Sequence, residues 1–168
     1  MKQKIYYLLL TLFLTGCLWN SEDKGQASKL EHAIKPTSEN LGLNNFKHYD
    51  LGDTINADLN GDDIEDKAYF KISGNNKTLT ILDGKTKKEI VLGTDPSFGE
   101  MRNNFDWVGF WGITHDKETY QHIIIDGEII GGKNFKLVNP SIFLGKNEEG
   151  GGIITFKNGK FIWVHKAD

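Results

Sequence analysis

The chain has 168 residues, with 20 lysines and arginines against 23 aspartates and glutamates, and a formal net charge of −3. This length holds one domain of ordinary size and excludes a propeller or a two-domain enzyme, and the acidic balance argues against nucleic-acid binding. With 19 glycines, 3 prolines and 38% hydrophobic residues, the composition is typical of a turn-rich β protein rather than a disordered chain or a helical bundle.

The N-terminal residues have the charge and hydropathy of an export signal. Two lysines precede an apolar run over residues 5–14, which is shorter than the roughly 20 residues of a membrane span. The run ends in the tetrapeptide LTGC at residues 14–17, which resembles a bacterial lipobox. This resemblance implies a lipoprotein whose signal peptide, residues 1–16, is removed and whose Cys17 is lipidated. Cys17 is the single cysteine, so an internal disulfide is excluded.

The lipobox implies an address in the bacterial cell envelope. Loss of the signal removes two lysines and leaves a more acidic chain, so acyl chains rather than charge must hold the protein on the membrane. Leu18 follows Cys17, where an aspartate would resemble an inner-membrane retention signal. We therefore expect the outer membrane if the host has two membranes.

A change of pattern near residue 46 separates a tether from a domain. Residues 17–45 are rich in Ser, Asn, Glu, Lys and Gly with scattered apolar positions, which predicts a flexible, lipidated tether. Over residues 46–168, short alternating apolar runs lie between clusters of Gly, Asn and Asp. This pattern predicts an all-β domain of about eight antiparallel strands, a single β-sandwich or an open barrel.

Three turn dipeptides divide the predicted strands: Asp83-Gly84, Asp126-Gly127 and Asn158-Gly159. The last favours a two-residue type I′ turn, because both residues tolerate a positive φ. Pairing Lys157 with Lys160 then turns one apolar face toward the core. That face consists of Ile154, Phe156, Phe161 and Trp163.

The sharpest local motif is the acidic loop, residues 58–66. Asp58, Asn60, Asp62 and Asp66 place oxygen side chains at its positions 1, 3, 5 and 9. Ile64, at position 7, is expected to offer its carbonyl while its side chain enters the core. Ca²⁺ prefers six to eight hard oxygen ligands, and the crowded carboxylates would repel one another without a cation. The loop therefore predicts a calcium site.

The acidic loop resembles the calcium loops of FG-GAP and VCBS-type repeats, in which position 9 also leads into a strand. The resemblance implies a structural Ca²⁺ bound by the same five residues. Asp63 stands where that family prefers glycine, and aspartate can adopt the positive φ required there at modest cost. The alternative is a solvated acidic turn without metal, because Asp, Asn and Gly favour turns on their own.

An aromatic segment, residues 105–111, is the second candidate site. As a strand it would be apolar on both faces and hence central, with Phe105, Trp107 and Trp111 on one face. The functional alternative is a sugar-stacking platform in which Trp107 or Trp111 meets a pyranose ring and Asp106 accepts its hydroxyls. The loop before it lacks a strand pattern, and its Arg102 would pair with a carboxylate ligand.

Three functions stay open. The favoured one is a non-catalytic module that binds an envelope protein or a glycan, because none of the five histidines has the spacing of a zinc site or a nucleophile–base pair. The second is a small envelope hydrolase acting on a glycan or peptide with Glu100 and Asp106. The third is an inhibitor of a lysozyme-like enzyme, because such enzymes are usually basic and this chain is acidic.

Overall fold

The structure, a computed structural model, describes residues 41–74, 76–94, 105–146 and 150–166. Within these residues the chain forms eleven strands and no helix, which confirms the predicted all-β class. The strands are β1 (Phe46–Tyr49), β2 (Thr54–Ala57), β3 (Asp66–Ser73), β4 (Asn76–Leu82), β5 (Glu89–Leu92), β6 (Phe110–Thr114), β7 (Glu118–Ile125), β8 (Glu128–Lys136), β9 (Ser141–Lys146), β10 (Gly150–Lys157) and β11 (Lys160–Lys166).

The strands form three open antiparallel sheets. Sheet A has the order β1-β6-β9-β10-β11, sheet B has the order β2-β3-β4-β5, and β7 pairs with β8 in a separate hairpin. The strand count exceeds the expected eight partly because β1 and β2 are edge strands of only four residues. Each pairs with a single neighbouring strand, and four residues are too few to show a clear alternation of apolar and polar residues in the sequence.

Sheets A and B pack face to face, as expected for a sandwich. In β2, Ile55 and Ala57 are buried and alternate with exposed Thr54 and Asn56, because successive side chains of a strand point to opposite faces. The core between the sheets also takes Leu79 and Ile81 from sheet B, and Trp111, Ile113, Ile142, Leu144 and Ile154 from sheet A.

The other face of sheet A is covered as well. A second apolar cluster lies on that face, where residues of β6, β9, β10 and β11 contact two covering segments. One segment contributes Leu43, and the other, at the end of β8, contributes Phe135 and Leu137. Asp116 fixes the first covering segment, because its carboxylate accepts the backbone N–H of Asn44 at 2.9 Å and of Asn45 at 3.1 Å. Residues 41–45, predicted as tether, therefore lie on the domain; the tether's residues 17–40 are outside the described residues.

The β10–β11 hairpin follows the predicted register. Lys157 pairs with Lys160, and the turn residues Asn158 and Gly159 have φ values of 52° and 80°. The rings of Phe156 and Phe161 meet at 5.1 Å. The four residues of the predicted apolar face pack in the core between the two sheets: Ile154, Phe156, Phe161 and Trp163.

Candidate functional site

The acidic loop connects β2 to β3, and Asp58 organises its first half. One carboxylate oxygen of Asp58 accepts the backbone N–H groups of Gly61 at 2.7 Å and Asp62 at 3.0 Å, and the other accepts that of Asp63 at 2.9 Å. Asp63 has a φ of 66°, the positive value that the sequence predicted at this position. These hydrogen bonds hold the loop closed.

The middle of the acidic loop repeats this arrangement. The side-chain oxygen of Asn60 accepts the N–H of Asp62 at 3.0 Å, and Asp62 accepts the N–H of Ile64 at 3.1 Å. The prediction that the Ile64 side chain enters the core is wrong, because it is 40% exposed. Leu59 and Asp66, both about 1% exposed, take the inward-facing positions of the loop instead.

Asp66 is the buried anchor of the acidic loop. Its two carboxylate oxygens accept the backbone N–H of Leu59 at 3.1 Å and that of Gly84 at 2.8 Å. Burial raises the pKa of Asp66, nearby Asp83 and Asp62 raise it further, and the two N–H groups act in the opposite direction. The backbone donors therefore offset only part of the cost of burying this charge.

Asp83 joins the acidic loop from the turn after β4. It accepts the N–H of Thr86 at 2.6 Å and the side-chain amide of Asn60 at 3.3 Å, and the Thr86 N–H is the main reason that its pKa is lowered. Asn60, Asp66 and Asp83 line one side of a cavity of about 160 Å³. The sequence predicted only a turn at Asp83. No local pattern indicates that its carboxylate contacts Asn60, which lies 23 residues away in the chain.

The donor chemistry of the acidic loop fits a hard cation. Asp58, Asn60 and Asp62 offer oxygen atoms, and each has one oxygen that accepts a single N–H and so keeps a second lone pair. Among the described residues, no three His, Cys, Asp or Glu side chains gather so that they could hold a metal ion. A Ca²⁺ ion here would need amide and backbone oxygens, including the Ile64 carbonyl, beside the carboxylates.

The aromatic segment differs from the predicted strand. Residues 105–109 form a turn, and the strand, β6, begins at Phe110. Trp111 is fully buried, packs on Phe70 at 4.9 Å and donates its indole N–H to the Asp50 carbonyl at 2.8 Å. A sugar platform at Trp111 is therefore wrong, because no face of its ring reaches solvent.

The other residues proposed for ligand binding are only partly described. Trp107 is half-buried and meets Trp163 edge to face at 6.3 Å. Asp106 accepts the backbone N–H of Lys77 at 2.6 Å, so it fixes the turn onto β4. Arg102, Glu100 and Cys17 lie outside the described residues, so the ligand-binding, catalytic and lipidation roles stay predictions.

The β7–β8 hairpin carries a surface that sequence reasoning missed. We define the hairpin tip as residues 123–130, around the turn at Asp126-Gly127. Four of its isoleucines are between 36% and 58% exposed: Ile123, Ile125, Ile129 and Ile130. A β-bulge interrupts the register between Ile123 and Ile124. The run of three isoleucines at 123–125, apolar on both strand faces, was the available signal.

Comparison with known proteins gives no match to a family model, a curated protein or a solved structure. Within the described residues, no helix has the length and apolar composition that a membrane crossing requires. The function has to be inferred from the chain's own residues.

Proposed function

We propose that the protein is a non-catalytic binding module, held in the cell envelope by a lipid on Cys17, that docks a protein partner through the hairpin tip. The observation that supports this proposal is the exposure of four isoleucines on one two-stranded hairpin. A cluster of exposed apolar side chains on a soluble domain is typical of an interaction surface. The described part of the domain leaves these side chains in solvent, which favours a partner that buries them.

The charges around the hairpin tip indicate the kind of partner. Asp126 and Glu128 are exposed between the isoleucines of the two strands. An anionic membrane surface would repel these carboxylates, and a second copy docked tip to tip would bring like charges together. The complementary partner is a protein with an apolar groove flanked by lysine or arginine.

Photo-cross-linking in cells tests this proposal. A photoreactive amino acid replaces Ile129 in the full lipidated chain, and in a control it replaces Ile72, which is equally exposed but lies on sheet B. We expect a protein adduct from position 129 and none from position 72. With the partner purified, Ile129→Asp is expected to abolish binding and Ile72→Asp to preserve it.

Two outcomes would contradict the docking surface. One is the absence of any adduct from position 129 in cells that display the protein at normal levels. The other is the same set of adducts from positions 129 and 72, which would mean that any exposed isoleucine is labelled by its surroundings.

The proposal includes a structural Ca²⁺ ion in the acidic loop. Its support is the oxygen donor set of Asp58, Asn60, Asp62 and Asp66 and the positive φ of Asp63. Such an ion would offset the repulsion among carboxylates that lie within nine residues of one another. Its role is to stabilise the connection between β2 and β3, and it takes no part in docking.

A second candidate, an inhibitor of a lysozyme-like hydrolase, is favoured by the same two carboxylates of the hairpin tip. A narrow acidic hairpin complements the cleft of a basic enzyme. Stoichiometric chain is expected to slow lysozyme turnover, and the double variant Asp126→Asn, Glu128→Gln to relieve the inhibition. Full turnover in a molar excess of the chain would eliminate this candidate.

A further inference from the structure

A cavity of about 280 Å³ lies between the β7–β8 hairpin and strand β11. Its walls come from Gln121 and His122 of β7, Lys133 of β8, and Trp163 and His165 of β11. It adjoins the hairpin tip at Ile123 but faces β11, on the side where the hairpin approaches sheet A. Its volume lies at the lower end for ligand pockets, which suits a ligand with a single ring.

The titratable groups that line this cavity are all nitrogen bases. They are Lys133, His122 and His165, and no aspartate or glutamate of the described residues lines it. This contrasts with a chain in which acidic residues outnumber basic ones. The Lys133 ammonium is a donor that suits a carboxylate or phosphate, and an imidazole adds no negative charge to oppose such a group.

The Trp163 ring forms a fixed wall of the cavity. Trp107 meets it edge to face at 6.3 Å and 82°, and Gly152 allows its close approach, since a Cβ there would lie 2.2 Å from the ring. Its orientation is therefore set before a ligand arrives, which lowers the entropic cost of binding. The half-buried Trp163 offers the accessible aromatic surface that buried Trp111 cannot.

His122 is positioned in the same manner from the opposite side. The Tyr120 ring meets the His122 ring at 5.3 Å and 81°. Tyr120 in turn lies over Gly132, where a Cβ would come within 2.3 Å of its ring. Gly152 thus admits the Trp163 ring, which faces the cavity, and Gly132 admits the Tyr120 ring, which packs on His122.

We propose that this cavity binds a small organic anion that carries one six-membered ring. The ring packs on Trp163 and on the apolar side chain of Ile124, and the anionic group is held by the Lys133 ammonium, with the two imidazoles beside it. A sugar acid and an aromatic carboxylate share this chemistry. The inference does not rest on docking at the hairpin tip, because Lys133, which holds the anionic group, and Trp163, which packs on the ring, lie outside residues 123–130.

NMR titration of the full mature chain in detergent micelles tests the inference with glucuronate, benzoate and glucose as probes. We expect glucuronate or benzoate at about 10 mM, roughly tenfold above a dissociation constant of about 1 mM, to shift the Trp163 indole N–H and His165 ring resonances. Glucose is expected to shift neither. A response to glucuronate alone identifies a sugar acid, and a response to benzoate shows that an aromatic ring suffices.

Matched variants on β8 complete the test. Lys133→Gln is expected to weaken binding of the active anion about tenfold, because a charge-assisted hydrogen bond is lost. Lys136→Gln, an exposed lysine of the same strand outside the cavity, is expected to leave binding unchanged. The inference is overturned if neither anion shifts these resonances, if glucose shifts them equally, or if both variants bind as the parent does.

Discussion

The buried carboxylate of Asp66 accepts the backbone N–H of Gly84 at 2.8 Å, and this contact joins the acidic loop to the turn between β4 and β5. Gly84 lies so close to the loop that a Cβ at this position would stand 2.1 Å from the Glu65 carbonyl oxygen. The two segments are 18 residues apart in the chain. Their packing therefore requires glycine at residue 84.

Gly84→Ala is the first variant that tests this packing. The backbone of residue 65 has to move to admit the methyl group, so we expect a loss of about 1–3 kcal/mol in the free energy of unfolding. Urea denaturation measures it, with Gly52→Ala as control, because a Cβ at Gly52 meets nothing within 4 Å. Equal stability of the two variants would show that residues 65 and 84 are not in contact.

The second prediction concerns calcium. If the acidic loop binds Ca²⁺, the melting temperature rises on adding the ion and falls again with chelator. A concentration of about 100 times the dissociation constant adds about 2.7 kcal/mol to stability. Asp58→Asn is expected to reduce this gain, while Glu118→Gln, on β7 and outside the loop, retains it. If neither Ca²⁺ nor chelator changes the melting temperature, the loop is a solvated acidic turn that binds no metal.

Local chemistry explains why the fold was predictable in part. The β10–β11 register follows from Asn158-Gly159, because a two-residue turn fixes which residues oppose each other. The closed form of the acidic loop likewise depends on side chains within six residues of Asp58. Such features need no knowledge of the rest of the chain.

The missed features depend on contacts between distant segments. Asn45 belongs to the domain because Asp116, 71 residues away, binds it. Trp111 is buried because β1, sheet B and the Asp50 carbonyl surround it. The hairpin tip is exposed because neither sheet covers it, although its isoleucines resemble those of a core strand. Periodicity shows that a strand is apolar but does not show what packs on it.

The third prediction separates a core tryptophan from a partly exposed one. Trp111→Phe removes the N–H donated to Asp50 and leaves a void beside Phe70, so we expect a loss of about 1–3 kcal/mol in unfolding free energy. Trp107→Phe, at a half-buried residue, is expected to cost less. Thermal unfolding of both variants gives the comparison, and a larger loss at Trp107 would reverse the assignment.

The fourth prediction concerns the lipid anchor implied by the LTGC motif. Cys17→Ser removes the only thiol that can be lipidated, and because a lipobox signal is cleaved after its cysteine is lipidated, the variant is expected to carry no acyl group and to retain residues 1–16. Mass spectrometry of the parent chain is expected to show an acylated N-terminal cysteine at residue 17. An unmodified Cys17, or processing at another residue, would contradict the lipoprotein assignment. Ser21→Ala is the control, because it changes a nearby polar residue and keeps the motif.

The fifth prediction uses Lys166, whose ammonium group donates to the Gly42 carbonyl at 3.3 Å and to the Thr119 hydroxyl at 3.4 Å. Burial lowers the pKa of Lys166, and Asp116 opposes this effect. Between the folded value and the unfolded value of about 10.4, the unfolded chain binds more protons. The free energy of unfolding that Lys166 contributes therefore rises with pH across that interval.

Lys166→Met removes this titrating group while keeping a long side chain. Relative to the variant, the parent chain is expected to gain stability as the pH rises from the lowered folded pKa of Lys166 toward the unfolded value of about 10.4, because its half-buried ammonium loses its proton. Urea unfolding at several pH values measures the difference, and Lys160→Met controls for the loss of one positive charge from β11. A difference that is constant or falls with pH would show that burial does not disfavour the charged form of Lys166.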